Sequence, residues 1–351
     1  MAGGSWDPIT DKVRPGVYIN FVDAATETIR GGDTGSVALA VKSYSGTATE
    51  KTFYSLEGTD AISNAIELFG EGNIKPIQRA LKGGAKEVLV YTMPTLIDTA
   101  AYDAMYGALD TRSFNVFAFG GEFADEEGSL KTWVQRNRQE GKHFMVVTGS
   151  TESIDQEPAN GNARSGDLED DYIVNLIVGG IEEGENISSA NEAAYLAGII
   201  AATPINKSIT YKKLDLEDVN KRLTNAEIKT ALEAGSLVLV HDGEQVVIER
   251  GITTSGSKIR KERARQAIQT TLQQNISKMF IGKIDNNVDG QKALISAVKA
   301  YFETLANSNV ITSNFSVDLS QDFESKGDQV YLDCYVTEVD SMEEIYFSIF
   351  A

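Results

Sequence analysis

Two histidines, one cysteine and a few acidic or glycine-rich clusters are the places where this chain of 351 residues holds side chains suited to chemistry. His143 and His241 each border an apolar run, HFMVVT and LVLVH. Neither has the C-x-x-C or H-E-x-x-H context that would gather metal ligands, and no G-x-S-x-G turn offers a nucleophile to activate. Both read as structural histidines at strand edges. Cys334 sits in the alternating run VYLDCYVT and reads as a small core or sheet residue; a single cysteine excludes an internal disulfide. Asp285-Asn286-Asn287-Val288-Asp289-Gly290 matches positions 1, 3, 5 and 6 of a calcium-binding loop, but the twelfth position is Ser296 where a bidentate glutamate belongs. Asp289 is instead expected to cap the helix that follows. Asp167, Glu169, Asp170 and Asp171 read as a solvated acidic loop rather than paired catalytic carboxylates. Gly70-Glu71-Gly72 lacks the third glycine of a dinucleotide fingerprint and follows a helix rather than a strand, and no phosphate loop is present. No catalytic, cofactor-binding or metal-binding residue is therefore assigned.

The elements around these residues read as an α/β protein. Apolar runs at Glu87–Met93, Phe114–Phe119, His143–Thr148, Asp171–Val178 and Leu237–Val240 alternate with helical stretches at Ile74–Leu81, Thr99–Leu109, Glu126–Gln139, Ser189–Ala202 and Asn225–Ala234. Near-continuous apolar strands separated by helices imply a central, mostly parallel sheet covered on both faces. Residues 85–245 form this expected domain. Before it, 29–84 reads as a small element rich in β and helix, with short strands at Gly35–Lys42 and Lys51–Leu56. After it, 246–340 reads as an α+β domain with two amphipathic helices, Lys258–Phe280 and Gln291–Leu305, and strands at Phe315–Leu319 and Gln329–Thr337.

The two ends carry strand patterns with no hairpin partner beside them. In residues 1–28 the run Val17, Tyr18, Ile19, Asn20, Phe21 alternates, and in 341–351 so does Ile345, Tyr346, Phe347, Ser348, Ile349, Phe350. An apolar terminal strand left unpaired invites aggregation. Either both ends pair within their own chain, or each completes a sheet in a neighbouring copy by strand addition, as a lattice subunit would. Composition sets further bounds. A formal charge of −19 argues against nucleic acid as a partner. No apolar run reaches the ~18 residues of a membrane span, and AGGSWDPITDKV after Met1 has no secretory pattern, so synthesis in the cytosol is expected. Charge is uneven: between Lys258 and Lys283 seven basic residues face Glu262 alone, a local +6.

The opening PGVYINF, the segment AAYLAGIIAATPINKSITYKKL (Ala193–Leu214), and the series KIRKERARQAIQ and FIGKIDNN followed by a helix ending at Asn307 resemble the tail sheath proteins of contractile phage tails and phage-tail-like bacteriocins. The resemblance runs through most of the chain and favours the compact prophage type. It implies a structural subunit and no enzyme: a polymer of stacked hexameric rings around an inner tail tube protein, which contracts to drive the tube through a cell envelope. It implies terminal arms exchanged between subunits, partners in the baseplate and tail terminator proteins, no small-molecule substrate, and assembly in the bacterial cytoplasm before release as a tail or tail-like particle. Within that picture Gly31, Gly32 and Gly327 are candidate hinges. Lys258, Arg260, Lys261, Arg263 and Arg265 are candidates for a tube-facing basic helix, because basic charge in a helix's first turns is not explained by helix stability. The alternative is a soluble α/β hydrolase or nucleotide-binding enzyme with its site at the carboxyl ends of the central strands.

Overall fold

The computed structural model describes residues 3–4, 17–18, 35–123 and 127–350. Strands β1 (Gly3–Gly4) and β2 (Val17–Tyr18) pair in parallel, Gly3 opposite Val17. From residue 35 the order is β3 (Ser36–Val41), β4 (Phe53–Glu57), α1 (Ala61–Phe69), α2 (Lys75–Lys82), β5 (Glu87–Thr92), α3 (Thr99–Leu109), β6 (Val116–Phe119), α4 (Glu127–Gln139) and β7 (Met145–Thr148). Next come α5 (Glu152–Asp155), α6 (Pro158–Leu168), β8 (Ile173–Leu176), β9 (Gly180–Glu182), β10 (Glu185–Ile187), α7 (Ser189–Ala202), β11 (Lys213–Leu214) and β12 (Asp218–Val219). The chain continues through α8 (Asn225–Glu233), β13 (Ser236–Leu237), β14 (Leu239–His241), β15 (Val246–Ile248), α9 (Ile259–Met279), α10 (Val288–Asn307), β16 (Ser316–Leu319) and β17 (Leu332–Tyr335).

Seven strands form one sheet in the order β13-β8-β7-β6-β3-β5-β4, parallel except for β4, which runs antiparallel to β5 with Phe53 opposite Tyr91. Strand β3 lies inside it between β6 and β5, with Leu39 opposite both Val90 and Ala118. Its residues alternate between two cores, as a period of two requires. Val37, Leu39 and Val41 face the layer that contains α1, α2 and α7, while Ala38 and Ala40 face Met105, Phe117 and Trp133 beneath α3 and α4. The expectation of a separate element over 29–84 is corrected: β3 and β4 belong to the main sheet, β3 as an interior strand, buried on both faces, that pairs with both β5 and β6, and β4 as the edge strand on β5.

Small residues in α7 let it lie close to α2. A Cβ built on Gly198 would stand 2.2 Å from the Ala80 carbonyl oxygen, and one on Gly83 would stand 2.4 Å from that of Tyr195. Arg79 of α2 also ties the layer electrostatically, reaching Glu192 at 2.7 Å and Glu182 at 2.6 Å.

Helix α9 links this body to the C-terminal part. Its first half packs on the body, where the Gln266 amide donates to the Phe144 carbonyl oxygen at 3.1 Å. Ile268 joins Val298, Phe302, Leu305, Val310, Ile311 and Val317 in a second, smaller core under α10 and the β16–β17 pair. Met279, at the end of the apolar stripe, is exposed. Strand β2 lies beside α9, and its residues Val17 and Tyr18 pair with β1 of their own chain. Ile19, Asn20, Phe21, Gly31 and Gly32 lie outside the described residues.

Three smaller expectations are also revised. Asn287, not Asp289, caps α10, accepting from the Asp289 and Gly290 amides at 3.1 and 2.9 Å. Asp170 is buried rather than solvated, gripped by Arg138 through contacts of 3.1 and 2.7 Å. Cys334 lies in β17 as expected but is exposed.

Candidate assembly site

The chemistry-bearing residues are not brought together. His143 precedes β7 and its Nδ1 lies 3.1 Å from the Tyr172 hydroxyl; burial and then the Arg138 charge push it down to about 4, so the ring stays neutral. His241 belongs to the separate β11-β15-β14 sheet, where its Nδ1 accepts from the Gly243 amide at 3.1 Å. At the carboxyl end of β7, Asp155 accepts from the Ser189 hydroxyl at 2.6 Å, the Ser189 amide at 2.8 Å and Asn220 at 2.7 Å. Burial nevertheless raises it to about 6. The cluster fixes the start of α7 and contains no histidine.

An open cleft of about 270 Å³ lies where β5 and β6 depart to opposite sides of β3, the place where an α/β enzyme binds its ligand. Its polar lining includes Lys42, Ser43, Asn73, Glu122 and Asn191, and the Lys42 ammonium is bound to the Glu122 carbonyl oxygen. None of the lining residues is a histidine or cysteine. Among the described residues no group of histidine, cysteine, aspartate and glutamate is placed to hold a metal, and no helix is long and apolar enough to cross a membrane.

The basic start of α9 is not a free surface in the isolated chain, because its side chains find partners within their own subunit. Arg263 is buried and donates to the Thr203 carbonyl oxygen at 2.7 Å, capping the C-terminal end of α7 where positive charge is favourable. Burial pulls its guanidinium down to about 10. Arg265 lies 3.4 Å from Glu262 and 3.5 Å from Glu338. Arg260 is buried and reaches the Ser341 hydroxyl at 3.3 Å, while Lys258 contacts Asp340 at 2.7 Å and Glu343 at 3.2 Å; Lys261 is half-buried. For Lys258, burial alone would lower the ammonium, but Asp340 and Glu343 outweigh it and hold it above the ordinary lysine value. The charge run was legible; apart from Glu262, its partners Thr203, Glu338, Asp340, Ser341 and Glu343 were not, because they are distant in sequence.

Those partners lead to the C-terminal end. A main-chain bond from the Val339 amide to the Val310 oxygen, 3.2 Å, ties the chain to the exit of α10, Glu338 meets Arg265 of α9, and the Glu343 side chain, 7% exposed, sits among basic groups. Glu343 therefore does not belong to the free arm, as the sequence pattern suggested. Beyond it the surroundings change abruptly. Ile345, Tyr346, Phe347, Ile349 and Phe350 are 64, 86, 85, 90 and 92% exposed, and residues 344–350 form no strand among the described residues. Five large apolar side chains in six positions stand in water, an apolar patch of a size that monomers rarely expose. The β16–β17 pair is two-stranded, and each strand has one edge without a strand partner among the described residues.

The family model for the phage tail sheath protein central domain matches residues 96–254, and that for the phage tail sheath C-terminal domain matches 253–351. The chain belongs to the phage tail sheath protein family. It is 24% identical over 343 residues to the tail sheath protein of Clostridium phage phiCD119, an alignment covering 93% of this chain and 89% of that one. Its fold is similar to the crystal structure of a sheath tail protein from Desulfitobacterium hafniense, with TM-score 0.73, 20% identity, and 95% and 99% of the two chains covered. It is also similar to the helical sheath of the anti-feeding prophage in its contracted state, with TM-score 0.72, 12% identity, and 97% and 99% covered. The chain is thus a structural tail sheath subunit of a phage tail or phage-tail-like particle, and the reading as an α/β hydrolase or nucleotide-binding enzyme has no support.

Proposed function

We propose that this sheath subunit polymerises with itself into stacked hexameric rings around an inner tail tube, assembling in the bacterial cytoplasm and ending at baseplate and terminator proteins. On triggering, the polymer shortens and drives the tube through a target envelope. Residues 345–350 act as a strand donated to a neighbouring subunit, with the β16–β17 pair as the acceptor edge. The exposed alternation of Ile345, Phe347 and Ile349 carries this reading: a lone subunit gains nothing from leaving these side chains in water, whereas strand addition buries one face of them and satisfies the main chain. The joints absorb the rotation between packings of one chain. Gly327, at φ +62° with open space where a Cβ would be, remains a candidate hinge beside β17. The work is mechanical, and no residue is assigned a turnover step.

Negative-stain microscopy of the purified chain tests the reading. Striated tubes or stacked rings are expected; a strictly monomeric protein at every concentration tried would contradict it.

A further inference from the structure

The polar residues that end the body and the apolar residues that begin the arm meet at one side chain. Glu343 accepts from the Ser208 hydroxyl at 3.0 Å and the Ser341 hydroxyl at 3.3 Å, while Lys258 stands 3.2 Å and Arg250 3.7 Å from its carboxylate. Arg250 also reaches Glu344 at 3.4 Å, and Lys258 reaches Asp340 at 2.7 Å. The contributing groups come from three parts of the body: the turn after α7, the exit of β15 and the first residue before α9. Three cations, Arg250, Lys258 and Arg260, stand against three carboxylates, Asp340, Glu343 and Glu344. The carboxylates also lie at the N-terminal end of α9, where negative charge is favoured and where the basic residues alone would be unfavourable.

We propose that Glu343, seated among Ser208, Lys258 and Arg250, is an ionic clasp that fixes the root of the C-terminal arm to its own subunit and so sets the point and direction from which residues 345–350 leave. The clasp rests on the arm reading above for its purpose, not for its geometry. A carboxylate withdrawn from water is held by charge-assisted contacts that surface salt screens poorly. Two residues later the chain has no such contact, so the boundary between fixed and free chain falls between Glu344 and Ile345. A defined root makes the arm's search for a neighbour local, which raises its effective concentration at the acceptor. It also passes a pull on the arm to α9 and β15 rather than letting the tail peel away.

The test uses the full-length chain. Glu343→Gln keeps the shape of the side chain and removes its charge. Amide hydrogen exchange at Val339 and Ser341, whose amides donate to the Val310 oxygen and the Asp340 carboxylate, is expected to rise about tenfold, with the body's melting temperature unchanged within about 2 °C. Lys258→Met is expected to do the same, and the effect of Glu343→Gln to shrink in that background, because both act through one contact. Tube yield at a fixed concentration falls with the loss of protection. Unchanged exchange in Glu343→Gln overturns the clasp; raised exchange with undiminished tube yield overturns its role in positioning the arm. A chain ending at Glu344 separates the two readings: if it forms tubes normally, the arm reading fails, while the exchange measurements still decide the clasp.

Discussion

Removing Ile345–Ala351 separates what this chain needs to fold from what it needs to assemble. Ile345, Phe347 and Ile349 would occupy one face of a donated strand, and at 64, 85 and 90% exposure they have most of their burial still to gain. Fully burying an Ile or Phe side chain is worth about 1.5–3 kcal/mol, so three of them supply roughly 4–9 kcal/mol per arm, an upper range because an extended reference overstates the area removed from water. Each main-chain bond of the added strand contributes about 0.5–1.5 kcal/mol net. Losing even 4 kcal/mol at each junction raises the concentration required for polymerisation by about a thousandfold. The isolated subunit loses nothing comparable, since the deleted side chains touch little of it; the expected change is under ~0.5 kcal/mol, about 1 °C in melting temperature. The truncation starts after Glu344 so that Glu343 stays seated. Differential scanning calorimetry and sedimentation velocity on the same sample read both quantities. A fall of more than about 5 °C would show that the arm packs on its own subunit, and tubes forming at the original concentration would show that it is dispensable; either refutes the reasoning.

Two predictions concern the body. Gly198→Ala places a methyl group 2.2 Å from the Ala80 carbonyl oxygen, so α7 and α2 must separate, and the denaturant midpoint should fall by an equivalent of about 1–3 kcal/mol; an unchanged midpoint would contradict the close packing. Asp155, raised by burial from the ordinary 3.8 to about 6, binds more protons folded than unfolded in that interval, so its contribution lowers stability as pH rises from about 4 to about 6. The full effect is roughly 3 kcal/mol. Asp155→Asn should flatten that part of the melting-temperature profile, and an unaltered slope would count against it.

The central sheet was legible because β5, β6 and β7 are apolar on successive residues, and only burial on both faces explains that. Its extent was not, because no local signal says that β3 at residue 36 is the strand beside β6 at residue 116. Helix α6 left no trace in the pattern: PANGNARSGDL has two glycines, two asparagines and no apolar stripe. It is held instead by tertiary bonds, the Ser165 hydroxyl 2.7 Å from that of Ser236 and the Asn175 amide donating to the Gly161 oxygen at 2.9 Å. The apolar run Leu237–Val240 reads as one strand but serves two sheets, Leu237 pairing with Leu176 and Leu239 with Ile248. At the assembly site the alternation of Ile345 to Ile349 was visible, whereas the seat of Glu343 was not, since Ser208, Arg250 and Lys258 converge only in the fold.

A cryo-EM reconstruction of the assembled polymer, at a resolution that traces the main chain, tests the central claim most directly. The account predicts density for residues 345–350 as a strand hydrogen-bonded to a neighbouring subunit's β16–β17 pair, with Glu343 still seated on its own body. An arm folded back on its own subunit, or polymer contacts made without residues 345–350, would contradict it.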